Sequence, residues 1–357
     1  MGYVKEYDLK ARECENAFIL PRKQMGKIPY CGRGGVVDSE LNFVEESADY
    51  DLYHDERKNI ELFEYKFGGS YQIEQYAVCE DTVIYGGLCH IHWGHFLMDV
   101  VQRLWFFLDN VCSYSLCFSA WENDPESEWK GNYLEFFELF GIGPDKIRII
   151  YEPTRFRKVI VPGQAIWPGE YYHPKYMAVF DRVVNSAMKR EVEISFFPRK
   201  IYLSRQKLRE ASRKEIGEAQ LEKEFLEKGF TALYFEKLST TEQIQYLNRA
   251  DEVASISGTL THNILFCLKP IKLIYLNKCS IPLYFQLMVN EMRGIQVNEI
   301  NVFYEPFKKY PISIGRGPFY LKITDEFIKY WENKGGTGKK QSLEFYKVLC
   351  DVRFVCH

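Results

Sequence analysis

The chain has 357 residues, is 46% hydrophobic and 16% aromatic, and carries a formal net charge of -3 at pH 7. That size and composition can bury a large core and suit two domains better than one. The near-neutral charge gives no general attraction to polyanions and excludes nucleic acid as an expected partner.

Residues 1 to about 80 read as irregular, with short aromatic strands and turn signals such as Cys31-Gly-Arg-Gly-Gly35, and no element bounds are assigned to them. Within them Asp49-Tyr-Asp51 has the spacing of a metal-binding carboxylate pair and is read as solvated turn chemistry. An alternating pattern then begins. Strands are expected at Thr82 to Tyr85, Tyr114 to Phe118, Ile147 to Tyr151 and Lys158 to Val161, and helices at Gly94 to Leu108, Tyr133 to Phe140 and Pro174 to about Lys189.

Phe196-Phe-Pro-Arg-Lys200 reads as a join, since Pro198 breaks strand pairing just before a cleaner alternation starts. Beyond it, strands are expected at Ile201 to Leu203, Thr231 to Phe235, Glu252 to Ile256 and Lys272 to Leu276. Helices are expected near 213–227, 240–249, 260–267 and 282–291. Ser212-Arg-Lys-Glu215 and Ser239-Thr-Thr-Glu242 read as capping boxes that start two of them. Strands separated by helices imply parallel βαβ crossovers. The expected class is therefore α/β, with Rossmann-like domains at 1–195 and 196–357, the first a rougher version of the second. Gly335-Gly-Thr-Gly-Lys-Lys340 is read as a flexible turn between two C-terminal helices.

The chemistry-bearing side chains fall in two places. At helical spacing His92, His95, Asp99 and Arg103 form one stripe, while Phe96, Leu97, Val100, Leu104 and Phe107 form a packing face. Ionisable groups in so apolar a segment are costly to bury unpaired and are expected to line a cleft. The plainer alternatives are mutual pairing, and zinc held by His90, His92 and His95; no Cys or carboxylate spacing elsewhere completes a metal set.

In an open α/β sheet ligands collect at the carboxyl ends of the strands. Those positions hold Ser204 and Arg205, Glu236 and Lys237, and Ser257-Gly258-Thr259, with His262 and Asn263 one turn on. Backbone N–H groups, hydroxyls and a helix start together make an anion site. Arg205, with its planar fork, ranks above Lys207 as the phosphate ligand. No dinucleotide or Walker-type glycine loop is present.

Taken in order, Gly94-His95-Phe96-Leu97 with Asp99 and Arg103, Tyr202-Leu-Ser-Arg-Gln206, Tyr234-Phe-Glu-Lys-Leu238 and Asn263-Ile-Leu-Phe266 resemble glycosyltransferase family 61, over about half the chain. The resemblance implies a GT-B architecture with two Rossmann-like domains facing a central cleft. It also implies an inverting mechanism, a nucleotide-sugar donor, and a role in capsular or exopolysaccharide biosynthesis. Where the family commonly has His-Gly-Ala-Gly-Leu-Thr-Asn, this chain has Ser257-Gly-Thr-Leu-Thr-His-Asn263, so Gly258 and Asn263 match and an imidazole stands at 262 instead of 257.

On that footing Asp99 or His95 supplies the catalytic base, with Asp99 preferred and His95 orienting it or the substrate, and His92 and Arg103 stand on the acceptor side. Arg205, Ser204, Glu236, Ser257, Gly258, Thr259, His262 and Asn263 are expected to bind the donor. No metal or other cofactor is expected. The expected partners are a nucleotide sugar and a glycan or lipid-linked glycan acceptor. Ten cysteines without paired spacing read as reduced thiols, and no signal-peptide core or bilayer-length apolar run is seen. The expected location is therefore cytoplasmic, compatible with peripheral association at the inner face of a membrane. The rival expectations are a nucleotide-sugar epimerase of GT-B architecture, a non-catalytic glycan-binding or assembly subunit, and a zinc hydrolase.

Overall fold

Val83, Ile84 and Tyr85 are completely buried at the centre of the long strand Ala77–Leu88, and the fold of the first half grows outward from it. The computed structural model describes residues 3–24, 32–55, 60–110, 113–121, 128–167, 170–280, 283–305 and 317–333. The expected Gly335–Lys340 turn and the helix beyond it lie outside these residues, as does the side chain of Asp51. The chain divides into two compact units, residues 1–190 with 287–292 and residues 191–286 with 293–357. Among the described residues no helix is long and apolar enough to cross a membrane.

In the first unit Ala77–Leu88 runs parallel to Thr154–Pro162 on one side and to Ser115–Ser119 on the other, with Ile147–Ile150 parallel beyond. The helices Asn132–Phe140 and Pro174–Ala187 accompany this parallel block. The rest of the nine-stranded sheet departs from the expected Rossmann-like pattern. Ala11–Glu15 and Phe18–Gln24 pair antiparallel with Thr154–Pro162, and the order continues through Gly32–Val37, Ile60–Phe67 and Asp49–Asp55. Antiparallel neighbours need no crossover helix. The first sixty-odd residues can therefore extend the sheet without the helical periodicity that their sequence lacks. Cys14, Ala17, Ile19, Val36 and Val44 bury with Val83, Tyr85, Val159 and Val161 in one core. The glycine-rich stretch expected as a turn at 31–35 instead opens the strand Gly32–Val37; Cys31 lies outside the described residues.

The helix expected at Gly94 to Leu108 is broken into an α-turn Trp93–His95, a π-helical turn Phe96–Val100, a 3-10 turn Val101–Arg103 and a short α-helix Phe106–Asp109. A π-turn is wider than an α-turn and often marks a functional position. Here it is fixed from both sides. The Phe96 ring packs edge-to-face against Trp129, Tyr133, Phe136 and Phe137, and the Tyr176 hydroxyl donates to the Leu97 carbonyl at 2.6 Å.

The second unit carries a wholly parallel five-stranded sheet in the order Thr231–Leu233, Lys200–Leu203, Glu252–Ile256, Lys272–Asn277, Gln296–Asn301. In chain order this is 2-1-3-4-5, a doubly wound arrangement whose direction reverses between its first and third strands. Tyr202, Ala254, Ile256, Ile274, Leu276 and Ile300 bury one face together with Leu221 and Phe225 of the helix Glu218–Glu227 and Phe327 and Trp331 of Asp325–Asn333. The Ser239 capping box is formed in full, with Ser239 Oγ accepting from the Glu242 N–H and Glu242 from the Ser239 N–H. The Ser212 box is not: the helix Arg209–Lys214 runs through it, and Glu215 starts the strand Glu215–Ile216. Helix Glu218–Glu227 begins instead behind Gly217, whose φ of 102° suits glycine. The expected helix at 260–267 is a 3-10 helix, Thr259–Phe266, and the strand Gln296–Asn301 was not foreseen from sequence.

Candidate active site

In the first unit the carboxyl end of Ala77–Leu88 delivers the chain into the histidine cluster. His95 Nδ1 lies 2.6 Å from Asp99 Oδ2, one turn apart across the π-turn. Both side chains remain about one quarter exposed, 29% and 25%. The His90 ring stacks on the His95 ring with centroids 4.4 Å apart, and His92 meets His95 edge-on at 5.1 Å. His90 Nδ1 accepts the His92 backbone N–H at 3.3 Å, which leaves the proton of the neutral ring on Nε2. Burial first, then the nearby imidazoles and Arg22, lower the His90 pKa to about 2, so that ring stays neutral. His92 itself is exposed. Among the described residues no three His, Cys, Asp or Glu side chains are grouped to hold a metal ion.

Arg103 does not share that open face, which corrects its expected acceptor-side role. Its side chain is fully buried. Nε donates to the Pro162 carbonyl at 3.0 Å, Nη2 to the Glu46 and Ala48 carbonyls at 3.1 and 2.8 Å, and Nη1 to Asp49. With four N–H groups committed, it ties the helical segment to the sheet edge. The π-turn explains the misreading, because it breaks the regular stripe between Asp99 and Arg103. Asp49 is corrected with it: rather than a solvated turn residue, it is a strand residue that also accepts from Gln102 Nε2 at 3.1 Å.

In the second unit the residues after the first and third strands meet at the switch point of the sheet. Gly258 has φ 146° and ψ -173°, a conformation open to glycine almost alone. A Cβ placed there would stand 3.0 Å from Arg205 Nη1 and 3.4 Å from Lys278 Nζ. Two cationic tips therefore converge on the Cα of Gly258. Both also hold one buried carboxylate: Arg205 Nε lies 3.0 Å from Glu215 Oε2, and Lys278 Nζ donates to Glu215 Oε1 at 3.0 Å. Lys278 is 6% exposed, and burial lowers its pKa from the usual ammonium range, against the pull of Glu215. Arg205 is 17% exposed and is the more open of the two. Ser257 Oγ accepts the Lys278 backbone N–H at 3.1 Å.

The other expected donor residues are placed differently. Ser204 is fully buried and gives its hydroxyl proton to Glu222, which removes it as a surface ligand. Glu236 is exposed on the 3-10 turn Phe235–Lys237. Thr259 is half-buried at the start of the 3-10 helix. His262 is buried, with Nδ1 2.8 Å from Gln286 Oε1, and Asn263 is buried beside it in the chain. Lys207 rests over the Tyr234 ring at 3.9 Å. Sequence reasoning missed Lys278, Glu215 and Glu218. Lys278 follows a strand directly, so the rule that found Arg205 reaches it as well; Glu215 was hidden inside the presumed capping box.

The fold and these two clusters define an α/β protein whose polar groups gather at the carboxyl ends of parallel strands. Residues 93–274, just over half the chain, match the glycosyltransferase 61 family model, and the chain belongs to that family. The matched segment contains His95, Asp99, Arg205 and Gly258. Membership supports glycosyltransferase activity in general, with a sugar donor and a glycan acceptor as substrates. Among curated proteins no match is found.

Proposed function

We propose that the chain moves a sugar from a nucleotide-sugar donor to a hydroxyl of a glycan acceptor with inversion at the anomeric carbon. The proposed plan is GT-B, with residues 1–195 on the acceptor side and 196–357 on the donor side, and the pathway is capsular or exopolysaccharide assembly. The observation that carries the reading is the convergence of Arg205 and Lys278 on Gly258 at the switch point, where Arg205 and Gly258 lie inside the matched segment 93–274 and Lys278 lies just beyond it. At position 258 no side chain stands between the backbone and those cations, which suits close approach of a diphosphate.

In this reading Asp99 takes the proton of the acceptor hydroxyl as its oxygen bonds to the anomeric carbon. The bond from that carbon to the diphosphate oxygen breaks, and its electron pair leaves with the nucleotide. The growing charge is met by Arg205, with Lys278 behind it, and by the amides of the Gly258–Thr259 turn. His95, donating from Nδ1, holds the Asp99 carboxylate in place, and His92 stands beside it toward solvent. Fixed cations at the leaving group can do the work a divalent metal does elsewhere, so turnover is expected to continue in EDTA. Work at the inner face of a membrane on a lipid-linked acceptor is consistent with this reading.

The test is a thermal-shift series with UDP, GDP and CMP, followed by transfer assays using the stabilising nucleotide's sugars. One nucleotide is expected to raise the melting temperature, and Asp99→Asn is expected to keep that shift while losing transfer by about 10²-fold or more. No stabilisation by any nucleotide, or full transfer by Asp99→Asn, would overturn the proposal or its base. Activity abolished by EDTA and restored by Mn²⁺ would overturn the metal-free mechanism.

A further inference from the structure

Apart from the histidine cluster, the first unit contains a cavity of about 360 Å³ lined by Tyr7, Trp167, Tyr171, Glu45, Glu46 and Gln164. It lies within the size range of small-ligand sites, roughly 300–1,000 Å³. Three separate segments build it. Ile166–Trp167 and Tyr171–Tyr172 pair antiparallel with Trp167 opposite Tyr171, so the two rings share one face and stack at 6.0 Å and 28°. The N-terminal segment lies alongside, its Lys5 N–H donating to the Tyr172 carbonyl. From it Tyr7 meets Tyr171 edge-on at 5.7 Å and donates its hydroxyl to the Gln164 carbonyl at 2.7 Å. The turn Glu45–Ser47 adds two carboxylates, with Glu46 3.5 Å from Arg12 and Glu45 exposed.

We infer that this cavity is a subsite for an uncharged sugar ring of the acceptor, an inference that rests on the transferase reading for the word acceptor but not for the sugar. A pyranose has an apolar face of C–H groups and a rim of hydroxyls. Flat aromatic walls match the first, and carboxylate and amide oxygens, which accept hydroxyl protons, match the second. The charges around the cavity balance, Glu45 and Glu46 standing against Arg12, paired with Glu46, and the Lys5 ammonium 4.3 Å over the Tyr171 ring, so no net field draws in phosphate or uronic acids and the lining suits neutral sugars. The cavity is also wired to the candidate base. Gln164 Nε2 donates to Gln102 Oε1 at 2.9 Å, and Gln102 stands three residues after Asp99 on the same helical segment. A glycan seated on Trp167 is therefore registered against the segment that presents Asp99.

The experiment is saturation-transfer NMR on the full chain with methyl hexopyranosides and neutral oligosaccharides, using glucuronic acid and a hyaluronan tetrasaccharide as acidic counterparts. Neutral sugars are expected to receive saturation and acidic ones not, and Trp167→Ala is expected to weaken neutral binding about ten-fold or more. Should Trp167→Ala fail to fold, Glu45→Lys at its exposed position carries the same test, with selectivity expected to move toward the acidic sugars. Neutral sugars that do not bind, neutral sugars that bind equally after Trp167→Ala, or acidic sugars still excluded after Glu45→Lys overturn the subsite. The two readings fail separately. Transfer with an acceptor KM unmoved by Trp167→Ala removes the subsite and leaves the transferase; Trp167-dependent sugar binding in a chain that transfers nothing removes the transferase and leaves the subsite.

Discussion

Arg205 reaches so near Gly258 that a single methyl group on Gly258 would stand 3.0 Å from its Nη1. The guanidinium tip can shift by the few tenths of an ångström this requires, but the backbone cannot relax so easily, since φ is 146°. Gly258→Ala is therefore expected to cost of order 1–3 kcal/mol of stability through the strained backbone, read as a lower urea midpoint. It should also weaken nucleotide-induced stabilisation, because the methyl displaces the Arg205 tip from the position proposed to meet the diphosphate. A variant with unchanged midpoint and unchanged nucleotide response would show that Gly258 is an ordinary turn residue.

Arg103 offers a contrasting case, an ionisable group that belongs to the scaffold. Its guanidinium satisfies three backbone carbonyls and Asp49 with no solvent contact. Lysine keeps the charge but brings one nitrogen where the fork supplies several in fixed directions. Arg103→Lys is thus expected to destabilise the chain by about 1–3 kcal/mol, the cost of leaving buried carbonyl acceptors without a donor. Thermal denaturation checks it, and sugar transfer per folded molecule should fall far less than folded yield. A loss of acceptor affinity at full stability would restore Arg103 to the acceptor side.

The His95–Asp99 pair gives a kinetic prediction that does not depend on knowing the sugar. If His95 acts by holding Asp99, His95→Gln should lower kcat less than Asp99→Asn does. The double variant should then be no slower than Asp99→Asn alone, because residues acting as a unit are non-additive. Additive losses in the double variant would mean that His95 acts on its own, and would transfer the search for the base to the imidazole.

These residues also show what the sequence could and could not reveal. The second unit was legible because its strands are short apolar runs between helices with clear starts, as at Ser239, and the positions just after the strands identified Arg205 and Gly258 directly. His95 and Asp99 were legible as neighbours because one helical turn separates them whether the turn is α or π. Arg103 was misplaced because a periodicity argument assumes an unbroken helix, whereas tertiary packing around Phe96 and Tyr176 sets the local winding. Glu215 was misplaced because the Ser-x-x-Glu pattern is satisfied by composition alone, while the helix actually begins behind Gly217. The antiparallel edge of the first sheet left little trace, since its buried residues pack against a core whose other members, such as Val83, Tyr85, Val159 and Val161, lie in distant strands. Local sequence carries no record of a partner so distant.

Glu218 lies one turn of chain beyond Glu215 and supplies a pH dependence with a definite sign. It is fully buried, accepting the Arg205 backbone N–H at 2.8 Å and the Gln206 amide at 3.0 Å. Burial raises its pKa from 4.5 to about 7, with the Glu215 charge adding to the rise and the bonds from Arg205 and Gln206 opposing it. Between those two values the folded chain holds a proton that the unfolded chain has released. The contribution is therefore complete below about 4.5 and is lost as pH rises through about 7. Glu218→Gln keeps an acceptor for the Arg205 N–H but does not titrate. Across this window the wild type should lose stability relative to Glu218→Gln by up to about 1.4 kcal/mol per pH unit, seen as urea midpoints that converge or cross toward pH 8. Because the same carboxylate holds the backbone of Arg205, the wild-type response to nucleotide should change over that pH range while that of Glu218→Gln stays flatter. Midpoint curves that run parallel from pH 5 to 8 would mean that Glu218 is already ionised in the folded chain, and that its two hydrogen bonds outweigh its burial.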